Sequence, residues 1–141
     1  MKKLLALLGS RSIAVLGAET GLTLLRIFLG LSMALAHGLG KLPPQEGFVG
    51  FLDSMGLPAP GLMAWLAALA EFGGGLLLAA GLLTRFASLS IIITMTVAAF
   101  GAHGGDGFSE QEMALLYLFA TLPFLFAGGG RVSADRALGL K

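Results

Sequence analysis

At 141 residues, 56% hydrophobic and only 12% charged, the chain is far more apolar than an ordinary soluble domain, in which about a quarter of the residues are charged. A mean hydropathy of +0.89 cannot be hidden in one small core, because a domain of this size leaves roughly a third of its unfolded surface exposed; lipid is the expected solvent. A net charge of +1 argues against nucleic acid, which calls for clustered Lys and Arg, and the lack of cysteine excludes disulfides, thiol catalysis and thiolate-held metals or Fe–S clusters.

The N-terminal run "MKKLLALLGSRSIAVLG" has the look of a signal peptide, but Arg11 interrupts a short apolar stretch and no cleavage site follows. Residues 1–19 are expected to be a retained amphipathic segment on the membrane surface. A spanning helix needs about 20 mostly apolar residues. Stretches meeting or approaching this run from about Gly21 to Leu42, Gly61 to Leu83, Phe86 to Ala102 and Glu110 to Ala127. Pro43-Pro44 stops the first, since a helix rarely passes through such a pair. The third, "SLSIIITMTVAAF", is β-branched, but its length and lack of turn residues favour a helix in lipid. Between the first two stretches, Phe48, Val49, Phe51, Leu52 and Met55 fall near one helical face, which predicts a short interfacial helix. "GGGR" closes the fourth, leaving residues 129–141 as a tail.

The fold class is therefore all-α: a four-transmembrane-helix bundle over residues 20–128. Lys2, Lys3, Arg11, Arg85, Arg131, Arg136 and Lys141 fall on one side of it. Lys41 falls on the other with Glu46, Asp53, Asp106, Glu110 and Glu112. The positive-inside rule places both termini in the cytoplasm of a multi-pass cell-membrane protein.

Ionisable groups inside spans are costly and are usually paired or face a wet cavity. Arg26 and Glu71 lie on antiparallel spans, and counting from the span ends puts Glu71 about 9 Å deeper than Arg26. A pair between them is expected, either as a structural lock or as the polar wall of a ligand or proton site. Arg26 can also snorkel toward the cytoplasm. From Arg26, positions Gly30, Met33 and His37 follow down one helical face, with Lys41 a turn beyond; Phe28, Leu31 and Leu35 should face lipid. Gly74 and Gly75, one turn after Glu71, either admit a neighbouring backbone or leave room for a ligand. Lys41 can reach the interface without any special role. His103 ends the third span on the same side as His37, and Asp106 could orient it. Two histidines at one level could ligate a metal or haem or relay protons, although polar end-groups at a membrane boundary are the plainer reading. Trp65 and Tyr117 are expected to be packing or interfacial residues.

The segments "RIFLGLSMALAHGLGKL", "FVGFLDSMGLPAP" and "LAALAEFGGGLLLAAGLLTRFAS" closely resemble the DoxX family of small bacterial and archaeal membrane proteins. The specific elements are His37, Gly38, Lys41 and Leu42; the Gly56–Pro58 turn; and Glu71, Gly74, Gly75, Leu78, Gly81, Thr84 and Arg85. "GGGRVSADRAL" is similar to the family's closing pattern. The resemblance covers about Leu22 to Asp135 and implies a four-helix integral membrane protein. It also implies a redox setting: one branch is named for a subunit of thiosulfate:quinone oxidoreductase, and others are linked to oxidative-stress resistance with soluble redox enzymes. It implies a pocket at these positions and carries no catalytic residues over.

The leading expectation is a redox-associated membrane subunit that binds a quinone or similar lipophilic molecule. Arg26, Met33, His37, Lys41, Glu71, Gly74, Gly75 and His103 are the candidate binding or proton-relay residues. Lys41 or His37 would donate to a quinone oxygen and Glu71 would hold a proton. The alternatives are a small-molecule carrier or channel, and a structural anchor recruiting soluble enzymes. Bis-histidine haem or metal ligation by His37 and His103 is the lesser expectation.

Overall fold

The computed structural model of the chain describes residues 11–140, with side chains from residue 16. Residues 1–10 of the expected amphipathic segment lie outside the described residues. Residues 11–19 form the first turns of a long helix.

Helix α1 (Arg11–Ser32) runs on into a π-helical stretch, Met33–Gly38, and a 3-10 turn, Leu39–Lys41. After Pro43-Pro44 comes the short helix α2 (Glu46–Ser54), then α3 (Pro60–Ala80) and α4 (Thr84–Thr96), which continues as a second π-helical stretch, Val97–Ala102. Helix α5 (Phe108–Ala127) and one short turn, α6 (Ala134–Ala137), complete the described residues, among which there are no strands. The β-branched run after Phe86 is helical throughout. Pro60 begins α3 at a position where a missing amide hydrogen costs nothing. Gly81, at φ 69°, ends α3 in the left-handed conformation that glycine adopts freely.

Among the described residues, three stretches, Leu16–Lys41, Pro60–Ala80 and Thr84–Ala102, are long and apolar enough to cross a membrane. Helix α5 has 20 residues, but its first turns carry Ser109, Glu110, Gln111 and Glu112, which lower its hydropathy. Helix α1 packs on α3, α3 on α4, α4 on α5, and α5 returns to touch α1. Leu29, Met33, Leu78, Ile91, Met95 and Phe124 fill the interior. Phe28, Leu31, Leu35, Phe100, Leu116 and Phe119 point outward and are exposed. So much apolar surface facing out marks a chain made for lipid: this is a membrane protein.

The α1–α3 contact is close and built from small residues. A Cβ added at Gly30 would strike the backbone of Gly75 and Ala79, and one at Gly38 would strike the backbone of Glu71 and Phe72. Ala34 is fully buried and would lie against any Cβ at Gly75. With no hydrophobic drive between helices in lipid, such backbone approach supplies much of the association. It also fixes the register: Gly30 meets residues 75–79, and Gly38 meets residues 71–72.

Candidate functional site

That register puts Lys41, one turn past Gly38, beside Glu71. The Lys41 ammonium donates to both carboxylate oxygens of Glu71, each at 2.6 Å. Glu71 is only 2% exposed while Lys41 is 33% exposed, so the pair runs from the protein interior toward its surface. The Lys41 nitrogen also stands 5.4 Å from the centroid of the Phe48 ring on α2, within cation–π range.

This pair lies on the wall of an open-sided cavity of about 520 Å³ bounded by α2, α3 and α4. The volume falls within the range of small-molecule sites. Phe48, Phe51, Leu52 and Met55 line it from α2, Met63, Leu66 and Ala70 from α3, and Ile93 and Val97 from α4. Polar atoms are few: Lys41, Glu71, Ser90, Thr94 and His103. The hydroxyls of Ser90 and Thr94 donate to carbonyls of their own helix, Ala87 and Ser90 respectively. His103 meets Asp106 through Nδ1 at 2.9 Å, as the sequence suggested. Both π-helical stretches end beside this cavity, one just before Lys41 and the other just before His103. Such widened turns recur at functional sites because they re-aim the residues that follow.

The expected Arg26–Glu71 pair does not form. Arg26, 2% exposed, donates through Nη1 to the carbonyls of Leu78 at 2.6 Å and Ala79 at 2.8 Å, and through Nη2 to that of Val132 at 2.7 Å. Gly38, which marks the level of Glu71, is twelve residues along from Arg26, or about 18 Å of helix; counting from the span ends underestimated this separation because the glycine contacts, not the ends, set the register. Arg26 also does not snorkel outward. It caps the carbonyl end of α3, where a cation offsets the helix dipole, and ties that end to the loop after α5. Lys41, for which interfacial snorkelling was open, turns inward to Glu71.

Asp135 completes the inner cluster. Its carboxylate accepts from the Leu83 amide at 2.7 Å, the Thr84 amide at 3.0 Å and the Thr84 hydroxyl at 2.7 Å. It thereby caps the start of α4 from a distant part of the chain and holds Leu83 in its left-handed conformation, φ 47°. Burial pushes the Asp135 carboxyl up, but the hydrogen bonds from Thr84 and Leu83 and the nearby Arg26 charge outweigh it and hold its pKa below the ordinary value. Asp135→Asn puts an NH2 donor where one of the two accepting oxygens stood and should therefore cost about 1 kcal/mol, the typical net worth of one hydrogen bond. The charge-dependent part is complete above the unfolded-state pKa, about 4, and disappears as pH falls through the lower folded-state value. Melting curves from about pH 6 to about pH 3 should show the wild type converging on the variant at the acid end.

Of the candidate residues, the structure brings Lys41, Glu71 and His103 to the cavity and leaves Arg26, Met33, His37, Gly74 and Gly75 off it. Met33 is core, 1% exposed. Gly75 admits the backbone of α1, and Gly74 faces Ser90 and Ile91 of α4, so both serve helix packing. His37 stands edge-on to Tyr117, their ring centroids 5.2 Å apart, while His103 engages Asp106. The two histidines thus keep separate partners, and among the described residues no group of three or more His, Asp or Glu side chains is placed to hold a metal ion. Trp65 is half-exposed on the outer face. Sequence reasoning missed Asp135, Ser90 and Thr94; the resemblance of the closing segment was the one signal pointing to Asp135.

Comparisons with known proteins agree with the membrane character of the chain. The family model described as DoxX matches residues 21–104. A Bacillus subtilis (strain 168) protein named "Putative oxidoreductase CatD" is 38% identical over 132 residues, covering 82% of this chain and 96% of the relative. "Inner membrane protein YqjF" of Escherichia coli (strain K12) is 31% identical over 129 residues, covering 87% of this chain and 95% of that protein. A Haemophilus influenzae protein without an assigned role is 30% identical over 128 residues, covering 85% of this chain and 84% of the relative. No solved structure matches the chain.

Proposed function

The chain belongs to the DoxX family, and on that premise we propose that it is a membrane subunit of a redox system, binding a quinone or similarly flat lipophilic molecule in the cavity between α2, α3 and α4. The observation that carries this reading is the Lys41–Glu71 ion pair set into an otherwise apolar wall. A hydrocarbon-soluble ring enters such a slot at little desolvation cost, and the few polar groups fix its orientation. Lys41 has three donors; Glu71 takes two directions, and the third is available to a ligand carbonyl. Reduction of a quinone consumes protons as well as electrons, and the Glu71 carboxylate is the buried group suited to pass them on. Electrons would come from a partner enzyme. The name of the Bacillus subtilis relative supports a redox setting.

In this reading α5 is a fourth span, α2 lies in the membrane interface with Phe48 and Phe51 turned to the cavity, and both termini are cytoplasmic. Arg85, Arg131 and Arg136 at the inner end support that orientation.

Equilibrium titration of purified protein in detergent with a short-chain ubiquinone or menaquinone analogue tests the proposal. Saturable binding is expected, weakened roughly tenfold when the charged hydrogen-bonding partners are removed in Lys41→Met/Glu71→Leu. Binding no better than that of an unrelated four-span protein would refute it. Solute uptake into proteoliposomes without any redox partner would move the assignment to a carrier.

A further inference from the structure

A second cavity, of about 840 Å³, lies at the opposite end of the bundle, where α3 turns into α4 and α5 gives way to the closing loop. Its charged lining is Arg85, Arg131 and Arg136 with Glu19 and Asp135. Both carboxylates are already engaged. Glu19 is ion-paired with the Arg131 Nε at 3.1 Å, and Asp135 accepts three hydrogen bonds from Leu83 and Thr84. The arginines are not. Arg85 uses one nitrogen on the Phe126 carbonyl at 3.2 Å, out of five N–H donors, and among the described residues the Arg136 guanidinium meets no acceptor. The amides of Gly129, Gly130 and Arg131 likewise donate to no protein acceptor among the described residues. The cavity is rich in unspent donors, and its own anions are taken.

Apolar side chains adjoin these donors. Leu83 and Phe86 line the cavity and stand exposed, and Phe126, next in sequence to the lining residue Ala127 and holding Arg85 through its carbonyl, is exposed too. Charge and exposed hydrocarbon side by side match one kind of ligand, an anion attached to an acyl chain. A soluble phosphate would satisfy the arginines and leave the three apolar side chains unused.

We propose that this cavity binds an anionic phospholipid, its phosphate held by Arg85, Arg136 and the amides of the Gly129–Arg131 loop, its chains running out over Leu83, Phe86 and Phe126. Basic groups near a bilayer attract anionic headgroups, and a guanidinium matches a phosphate in two-point geometry. The lipid bridges the α3–α4 turn and the loop after α5, the two segments that Asp135 already ties together. This site is independent of the quinone reading.

Native mass spectrometry of the full chain, released from neutral detergent with phosphatidylglycerol or phosphatidylcholine added, tests the assignment. The wild type should retain phosphatidylglycerol in preference to phosphatidylcholine. Each charge removed should lower that retention about fivefold, so that Arg85→Gln/Arg136→Gln largely abolishes the preference while Arg85→Lys/Arg136→Lys keeps most of it. Equal retention of the two lipids by the wild type overturns the proposal, whatever the variants do. Displacement of phosphatidylglycerol by millimolar inorganic phosphate would assign the site to a free anion and overturn it too. If the glutamine variant does not fold, judged by its melting curve, the wild-type preference and the lysine variant decide the matter.

Discussion

Lys41→Met should cost about 3 kcal/mol of stability, and adding Glu71→Leu to the same chain should return most of it. The single change removes the ammonium that both oxygens of Glu71 contact at 2.6 Å and strands a carboxylate that is 2% exposed. An uncompensated buried charge is among the most damaging single events in a protein, typically about 3–5 kcal/mol. The lower end applies because Lys41 is itself 33% exposed, which lets water reach the site. The double variant carries no charge to strand, and buried pairs exchanged for apolar residues of similar volume are often neutral. Unfolding in detergent, followed by circular dichroism, measures the three variants as a cycle. A loss in the double variant equal to the sum of the two single losses would show that the two residues are not coupled. A double variant that is stable yet fails to bind the quinone analogue separates the work of the pair in the fold from its work on a ligand.

The second large effect belongs to Gly38→Ala. The new Cβ would overlap the backbone of Phe72 and Glu71, and main chain cannot swing aside as a flexible side chain can. Helices α1 and α3 would have to part, with a loss at or above the upper end of the overpacking range, about 3 kcal/mol. Because Gly38 also sets the level at which Lys41 meets Glu71, quinone-analogue binding should fall with stability. Gly40→Ala is the internal control. Nothing lies within 4 Å of a Cβ there, so a change within about 0.5 kcal/mol is expected. Comparable losses at the two positions would remove the close α1–α3 approach as the determinant of register.

The apolar stretches in the sequence overlie the helices because the length of a run and the prolines and glycines at its ends are local properties. Pro43, Pro60, Gly81 and Gly128 mark boundaries that can be read one residue at a time. Pairing across helices is not local. Arg26 and Glu71 were expected to meet because depth was counted from the span ends, whereas the register depends on which glycines of α1 seat against which atoms of α3. The stripe Arg26, Gly30, Met33 holds as an inward face, since α geometry persists through Ser32. Beyond it the π-helical stretch alters the periodicity, so His37 reaches Tyr117 and Lys41 reaches Glu71. The cavity was legible only in part. Phe48, Phe51, Leu52 and Met55 were grouped on one face of α2, but that this face closes over Glu71 is a tertiary fact. Asp135 was invisible to any reading by span, because its partners are about fifty residues away in the sequence and a lone aspartate in a polar tail carries no periodic signal.

The widened turns at Met33–Gly38 and Val97–Ala102 each hold a surplus residue relative to ordinary winding, and this makes chain length, not only side-chain chemistry, part of the design. Dropping one residue from the first would let the helix return to ordinary winding with the residues beyond it still in phase, whereas dropping one from the plain α winding before it would rotate everything beyond by about 100°. In that second case Lys41 would keep its identity and its neighbours in sequence yet aim away from Glu71. The widened turns can give up a residue that the ordinary turns cannot.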